Sequence, residues 1–112
     1  MEEKGKKIIL KGVPASPGVV TEKVKIINSV PEMDKMEEGN ILVAPMTSPD
    51  YNPCLFKASA FITDIGGMAS HAAIVAREMG IPCIVGCGNA TKILKDNMEV
   101  TVDGKKGIIY QQ

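Results

Sequence analysis

The residue of this 112-residue chain best placed for chemistry, by type and by spacing, is its single histidine, His71. It closes the segment Thr63-Asp64-Ile65-Gly66-Gly67-Met68-Ala69-Ser70-His71. There a strand-like run, two consecutive glycines and the start of an apolar helical stretch follow one another. Consecutive glycines can take positive φ and turn backbone N–H groups toward one point. A helix beginning at Ser70 adds N–H groups without intrahelical acceptors, and a partial positive charge. Together these features suit a dianionic phosphoryl group, free or attached to His71. An imidazole is nucleophilic when neutral and titrates near neutrality, so it can both accept and release such a group.

The neighbouring residues have plainer readings. A lone histidine is more often structural than catalytic, and most Gly-Gly pairs are only turns. Ser70 is the expected N-cap of the helix. A Ser70–His71 nucleophile pair is disfavoured, because adjacent residues at a helix start rarely aim the hydroxyl at the ring and no third orienting acid is apparent. Arg77 lies six residues beyond His71, well around the helix, and reads as a surface ion-pair former rather than a phosphate ligand. The apolar run from Ala72 to Ala76 implies a mostly buried helix.

The elements that must position His71 follow from apolar patterning and turn residues. Ile8-Ile9-Leu10 is a short strand, and Val13-Pro14-Ala15-Ser16-Pro17-Gly18 a proline- and glycine-punctuated turn. Val19 to Ile27 suggests a second strand, and Pro31 to Gly39 a charged surface connection. Ile41-Leu42-Val43-Ala44 is a buried strand. Thr47-Ser48-Pro49-Asp50 opens a helix carrying Leu55 and Phe56 inward and ending near Ala58. Phe61-Ile62-Thr63 is a strand. A helix over about Ser70 to Met79 stops at Gly80 and Ile81-Pro82. Cys83-Ile84-Val85-Gly86 is a strand, Ala90 to Lys95 a short helix, and 100–102 with 107–110 a hairpin. These elements mix without a strict βαβ repeat, which predicts one compact α/β domain.

Composition narrows the function. Apolar residues make up 45% of the chain and charged residues 23%, a globular balance that argues against disorder. With a formal net charge of zero and no basic cluster beyond a pair, nucleic acid and anionic membrane are not expected partners. Apolar runs are too short to span a bilayer. The polar N-terminus lacks the apolar segment of a signal peptide, so a cytoplasmic location is expected. Cys54, Cys83 and Cys87 form no C-x-x-C pair, so no metal site is expected and each reads as a small buried hydrophobe.

The segment GGMASHAAIVAREMGIPCIVGCGNAT resembles the phosphohistidine region of phosphoenolpyruvate synthase and pyruvate phosphate dikinase, and less closely that of Enzyme I of the sugar phosphotransferase system. The likeness extends upstream through Ile41-Leu42-Val43-Ala44-Pro45-Met46-Thr47-Ser48-Pro49-Asp50 and downstream through Val100-Thr101-Val102-Asp103-Gly104. Gly12 to Gly18 resembles the opening of such domains. The resemblance implies a swivelling β/β/α phosphohistidine domain over residues 9–112, preceded by a polar extension over 1–8. It implies that His71 is the phosphoryl acceptor, through a ring nitrogen that is expected to be Nε2. Gly66, Gly67 and Ser70 would bind the phosphoryl group, and Thr47 would hydrogen-bond the ring and orient it.

The resemblance further implies partners: an ATP-grasp nucleotide-binding component and a barrel that handles phosphoenolpyruvate and pyruvate. Mg²⁺ and ATP or phosphoenolpyruvate belong in those sites, and no cofactor is expected on this chain. There is no room here for either partner, since a barrel alone takes roughly 250 residues. Separate partner chains, or a stand-alone relative with another donor and acceptor, are expected, with no turnover by the chain alone. One departure concerns regulation. Many dikinases and synthases carry a threonine two residues before the histidine that a regulatory kinase modifies, and here that position is Ala69. The leading expectation is a phosphotransferase component. The rivals are a non-catalytic docking module of the same fold, and a carrier serving another acceptor such as an antibiotic or a glucan.

Overall fold

The computed structural model describes residues 2–3 and 6–111. Its strands are β1 (Glu2–Glu3), β2 (Lys6–Lys11), β3 (Val13–Ser16), β4 (Val19–Ile26), β5 (Ile41–Ala44), β6 (Ala60–Thr63), β7 (Cys83–Val85), β8 (Glu99–Asp103) and β9 (Ile108–Gln111). Its α-helices are α1 (Asn52–Leu55), α2 (His71–Met79) and α3 (Ala90–Ile93), with 3₁₀ turns at Val30–Lys35 and Pro49–Tyr51. Met1, Lys4 and Gly5 of the expected N-terminal extension lie outside the described residues. The boundary expected after residue 8 falls inside β2.

The strands run in the order β1-β2-β9-β8-β4-β5-β6-β7-β3. β4 belongs to two sheets. Val19 to Lys23 pair antiparallel with β8, whereas Val24 to Ile26 pair parallel with β5. From there β5, β6 and β7 continue in parallel, and β3 closes the edge antiparallel to β7.

The parallel strands are buried on both faces, which is why they read as continuous apolar runs. Leu42, Ala44, Phe61, Cys83 and Val85 face a helical layer built from Leu55, Ala72, Ala73 and Ala76. Ile41, Val43, Ala60, Ile62 and Ile84 face the antiparallel sheet, through Val24, Val100, Val102 and Ile109. The result is three layers, β on β on α, with a core on either side of the parallel sheet.

Several expectations change. Val13 to Ser16 is a strand and not a turn, and it accommodates Pro14 because β3 lies at the sheet edge, where a missing N–H is tolerated. The four parallel strands form a crossover series that the sequence pattern does not reveal. Two of its connections hold only 3₁₀ turns and a four-residue helix, too short to leave a helical period. Phe56 points outward and is 63% exposed. α1 ends at Leu55 rather than near Ala58, so of the two residues expected inward only Leu55 is buried, together with Cys54. α2 behaves as expected. Ser70 caps it by accepting from the Ala73 N–H, and Gly80 ends it in the left-handed conformation at φ 72°.

Candidate active site

The carboxyl ends of β5, β6 and β7 carry three loops, and backbone hydrogen bonds fasten them together. Beyond β6 the Asp64 N–H donates to the Ala44 carbonyl (3.1 Å), and the Ile65 N–H to that of Pro45 (2.9 Å). Beyond β7 the Cys87 N–H donates to Thr63 (3.0 Å), and the Gly88 N–H to Asp64 (2.9 Å). The parallel ladder thus extends past the strands, and each loop inherits its register. The end where helix N-termini and strand C-termini converge is where open α/β sheets place ligands.

This fastening brings Thr47, in the loop after β5, against His71, the first residue of α2. Thr47 Oγ1 lies 2.9 Å from His71 Nδ1. Both residues are half-buried. With Nδ1 engaged, Nε2 is the ring nitrogen left for an incoming group.

The glycine pair divides its work unequally, contrary to the expectation of two positive φ values. Gly66 has φ +137°, and a Cβ there would come within 3.2 Å of the Ser70 side chain. Gly67 is not among the positive-φ residues, and a Cβ on it would meet nothing within 4 Å. Only Gly66 is required by conformation. Ser70 serves as the N-cap, its Oγ 3.4 Å from the Ala73 nitrogen, and the Ser70 N–H donates to the Gly67 carbonyl (3.1 Å). The helix so capped still presents first-turn N–H groups that lack intrahelical partners.

Two residues outside the expected set hold the loop. Asp64 accepts from the Thr91 N–H through Oδ1 (3.0 Å) and from the Thr91 hydroxyl through Oδ2 (2.6 Å), tying the loop to the start of α3. No sequence spacing signals this pair, since 27 residues separate its members. Arg77, expected in a surface ion pair, instead donates to the carbonyls of Ala15 (3.1 Å) and Met68 (2.5 Å). Its side chain is directed back along the helix, toward backbone acceptors rather than a carboxylate.

The thiols are set apart from this chemistry. Burial pushes Cys83 up to about 12, with Cys87 adding to the rise. Burial pushes Cys87 up to about 12 as well, and the Asp64 carboxylate contributes. Burial also raises the Cys54 thiol. Among the described residues no three His, Cys, Asp or Glu side chains group as a metal site would require. None of the helices among them is long and apolar enough to cross a membrane.

Residues 36–107 match the family described as PEP-utilising enzyme, mobile domain. This chain belongs to that family. It is 57% identical over 110 residues to a probable phosphoenolpyruvate synthase of Archaeoglobus fulgidus, covering 98% of this chain and 15% of that protein. It is 46% identical over 114 residues to the phosphoenolpyruvate synthase of Pseudomonas aeruginosa, covering 99% of this chain and 14% of that protein. The chain thus spans about a seventh of the relatives' length. Among solved structures, a solution structure of Enzyme I matches with a TM-score of 0.59 and 37% identity, over 69% of this chain and 32% of that one. The aconitase X of Thermococcus kodakaraensis shares the fold at a TM-score of 0.69 and 20% identity, over 92% of this chain and 97% of that one.

Proposed function

We propose that this mobile domain is a phosphoryl carrier, phosphorylated on His71. The observation that carries the reading is the 2.9 Å contact between Thr47 Oγ1 and His71 Nδ1 at the N-terminus of α2. In the carrier, the Nδ1–H donates to the threonine hydroxyl oxygen, which fixes the tautomer and leaves the lone pair on Nε2. That lone pair attacks the phosphorus of the donor. An N–P bond forms, the bond from phosphorus to the leaving oxygen breaks, and its electron pair departs with the leaving group. The ring then carries a positive charge on its Nδ1–H side, next to a dianion held by the helix N-terminus. An acceptor oxygen reverses these events. Such transfer depends mainly on positioning and electrostatics.

The donor and acceptor sites lie on partners, a nucleotide-binding component and a phosphoenolpyruvate/pyruvate-type site, with Mg²⁺ and ATP or phosphoenolpyruvate bound there. The length of the relatives beyond the matched stretch supports this division, because it leaves ample chain for both sites. The chain alone has no turnover on this reading.

Intact-mass spectrometry after incubation with phosphoenolpyruvate, or with ATP, in a competent cell extract tests the proposal. Work-up at neutral to alkaline pH preserves the acid-labile phosphohistidine. An adduct of one phosphoryl group that acid removes, and that His71→Ala abolishes, is the expected result. No adduct with either donor overturns the carrier and leaves a docking module of the same fold. An adduct that discharges to neither pyruvate nor a nucleotide redirects the acceptor toward another class, such as an antibiotic or a glucan.

A further inference from the structure

The loop between β6 and α2 must hold its shape for His71 to work, yet much of it lies in solvent. Gly67, Met68 and Ala69 are all exposed. A local tie within it is the bond from the Ser70 N–H to the Gly67 carbonyl. The Met68 carbonyl, three residues before His71, is taken by the guanidinium of Arg77.

Arg77 reaches that carbonyl from an unexpected quarter. Six residues along an α-helix amount to about 9 Å of rise and about 240° of rotation, which puts its Cα far from that of His71. Helical side chains lean toward the N-terminus, however, and the long arginine stem spans the gap. Its second donor, Nη1, binds the carbonyl of Ala15 on the edge strand β3 at 3.1 Å. One planar group therefore joins three elements: the loop, the helix and the sheet edge. Among the described residues no carboxylate pairs with it, so its donors are free to serve the two carbonyls.

This arrangement fixes a peptide plane. In a trans peptide the carbonyl and the following N–H point in opposite directions. Drawing the Met68 carbonyl onto Arg77 therefore holds the Ala69 N–H on the other side of the loop. We propose that Arg77 is a positioning residue for phosphoryl transfer, acting through the Met68 carbonyl to keep the 66–70 loop in the conformation that receives the phosphoryl group. The inference rests on the carrier reading and adds to it a residue that does not touch His71. Lysine cannot replace it fully, because a single ammonium does not present the rigid fork needed to span both carbonyls.

Phosphoramidate, a small phosphoryl donor that phosphorylates imidazoles without a protein partner, provides the test. Its rate of labelling at His71 is measured by intact mass at alkaline pH for the native chain, Arg77→Met, Arg77→Lys and Thr21→Ala. Thr21, whose hydroxyl bonds that of Thr101 in the antiparallel sheet at 2.7 Å, supplies a destabilised control remote from the loop. All are assayed where circular dichroism shows them folded. Arg77→Met should label about tenfold more slowly, Arg77→Lys about threefold, and Thr21→Ala at the native rate. The phosphoryl group of labelled Arg77→Met should also titrate at higher pH by phosphorus NMR, since a disordered loop stabilises the dianion less. That shift is absent if Arg77 only adds stability.

A native chain that phosphoramidate does not label at His71 overturns the carrier reading. A labelled native chain with Arg77→Met equally fast, or equally slowed with Thr21→Ala, overturns the role of Arg77 alone. Should Arg77→Met fail to fold, Arg77→Lys carries the test, and a full native rate in it is the overturning result.

Discussion

Thr47 and His71, 24 residues apart in sequence, meet at 2.9 Å because the loops that carry them are fastened edge to edge beyond β5 and β6. The hydroxyl is a partner for one ring nitrogen and leaves the other available. Replacing Thr47 with valine keeps the shape and removes the partner. Phosphorylation of His71 should slow about tenfold, with stability changed by about 1 kcal/mol or less, because the lost bond is only half-buried. Labelling rate and urea midpoint, measured on the same sample, check this. A native rate in Thr47→Val would remove the threonine from the mechanism.

Asp64 predicts a different kind of loss. Its carboxylate takes both the N–H and the hydroxyl of Thr91, so Asp64→Ala strands two donors at the start of α3. The expected cost is about 1–3 kcal/mol of stability, read as a lower denaturant midpoint with an unchanged slope. Thr91→Ala should cost less, because Asp64 keeps the backbone N–H. Equal midpoints for Asp64→Ala and the native chain would show that the tie contributes nothing.

Acid stability should carry the mark of Asp96. Burial opposes its ionisation, but the Ile26 N–H at 2.7 Å and the Lys35 ammonium at 2.8 Å outweigh it, with Lys25 assisting, and hold the carboxyl below its ordinary 3.8. A carboxyl lowered in the folded state binds protons more readily when unfolded. Its contribution is therefore complete above the unfolded value and lost as pH falls through the native one. The stability difference between the native chain and Asp96→Asn should be constant from neutrality down to about pH 5, and should shrink as the pH falls further through and below the ordinary carboxyl range. A difference independent of pH across that range would contradict the assignment.

The cysteines should be silent in the folded chain. Burial pushes Cys83 and Cys87 up to about 12 and raises Cys54, and the thiolate is the reactive form. Ellman's reagent at about pH 8 should label all three on unfolding, and none on the timescale of mixing in the native state. Rapid native labelling of Cys87, the half-buried member, would refute this.

The sequence by itself determined the strands at Ile41–Ala44 and Ala60–Thr63 to within a residue, and the helix His71–Met79. These rest on local physics: continuous apolar runs, a serine cap, and a glycine stop followed by proline. It also pointed to His71 and to the Gly66-Gly67 pair before the helix start, but only the structure showed that Gly66 alone of the two takes a positive φ. Thr47 was reached only through family resemblance, since no local rule links a threonine to a histidine 24 positions away. The tertiary structure alone decided what pairing over distance controls. It turned Val13–Ser16 into an edge strand, shared β4 between two sheets, faced Phe56 outward, and gave Asp64 to Thr91. It also aimed Arg77 at two backbone carbonyls, where charge and spacing had suggested an ion pair. Such choices depend on which groups the assembled layers leave exposed or unsatisfied, and that is settled only when sheet order and loop register are complete.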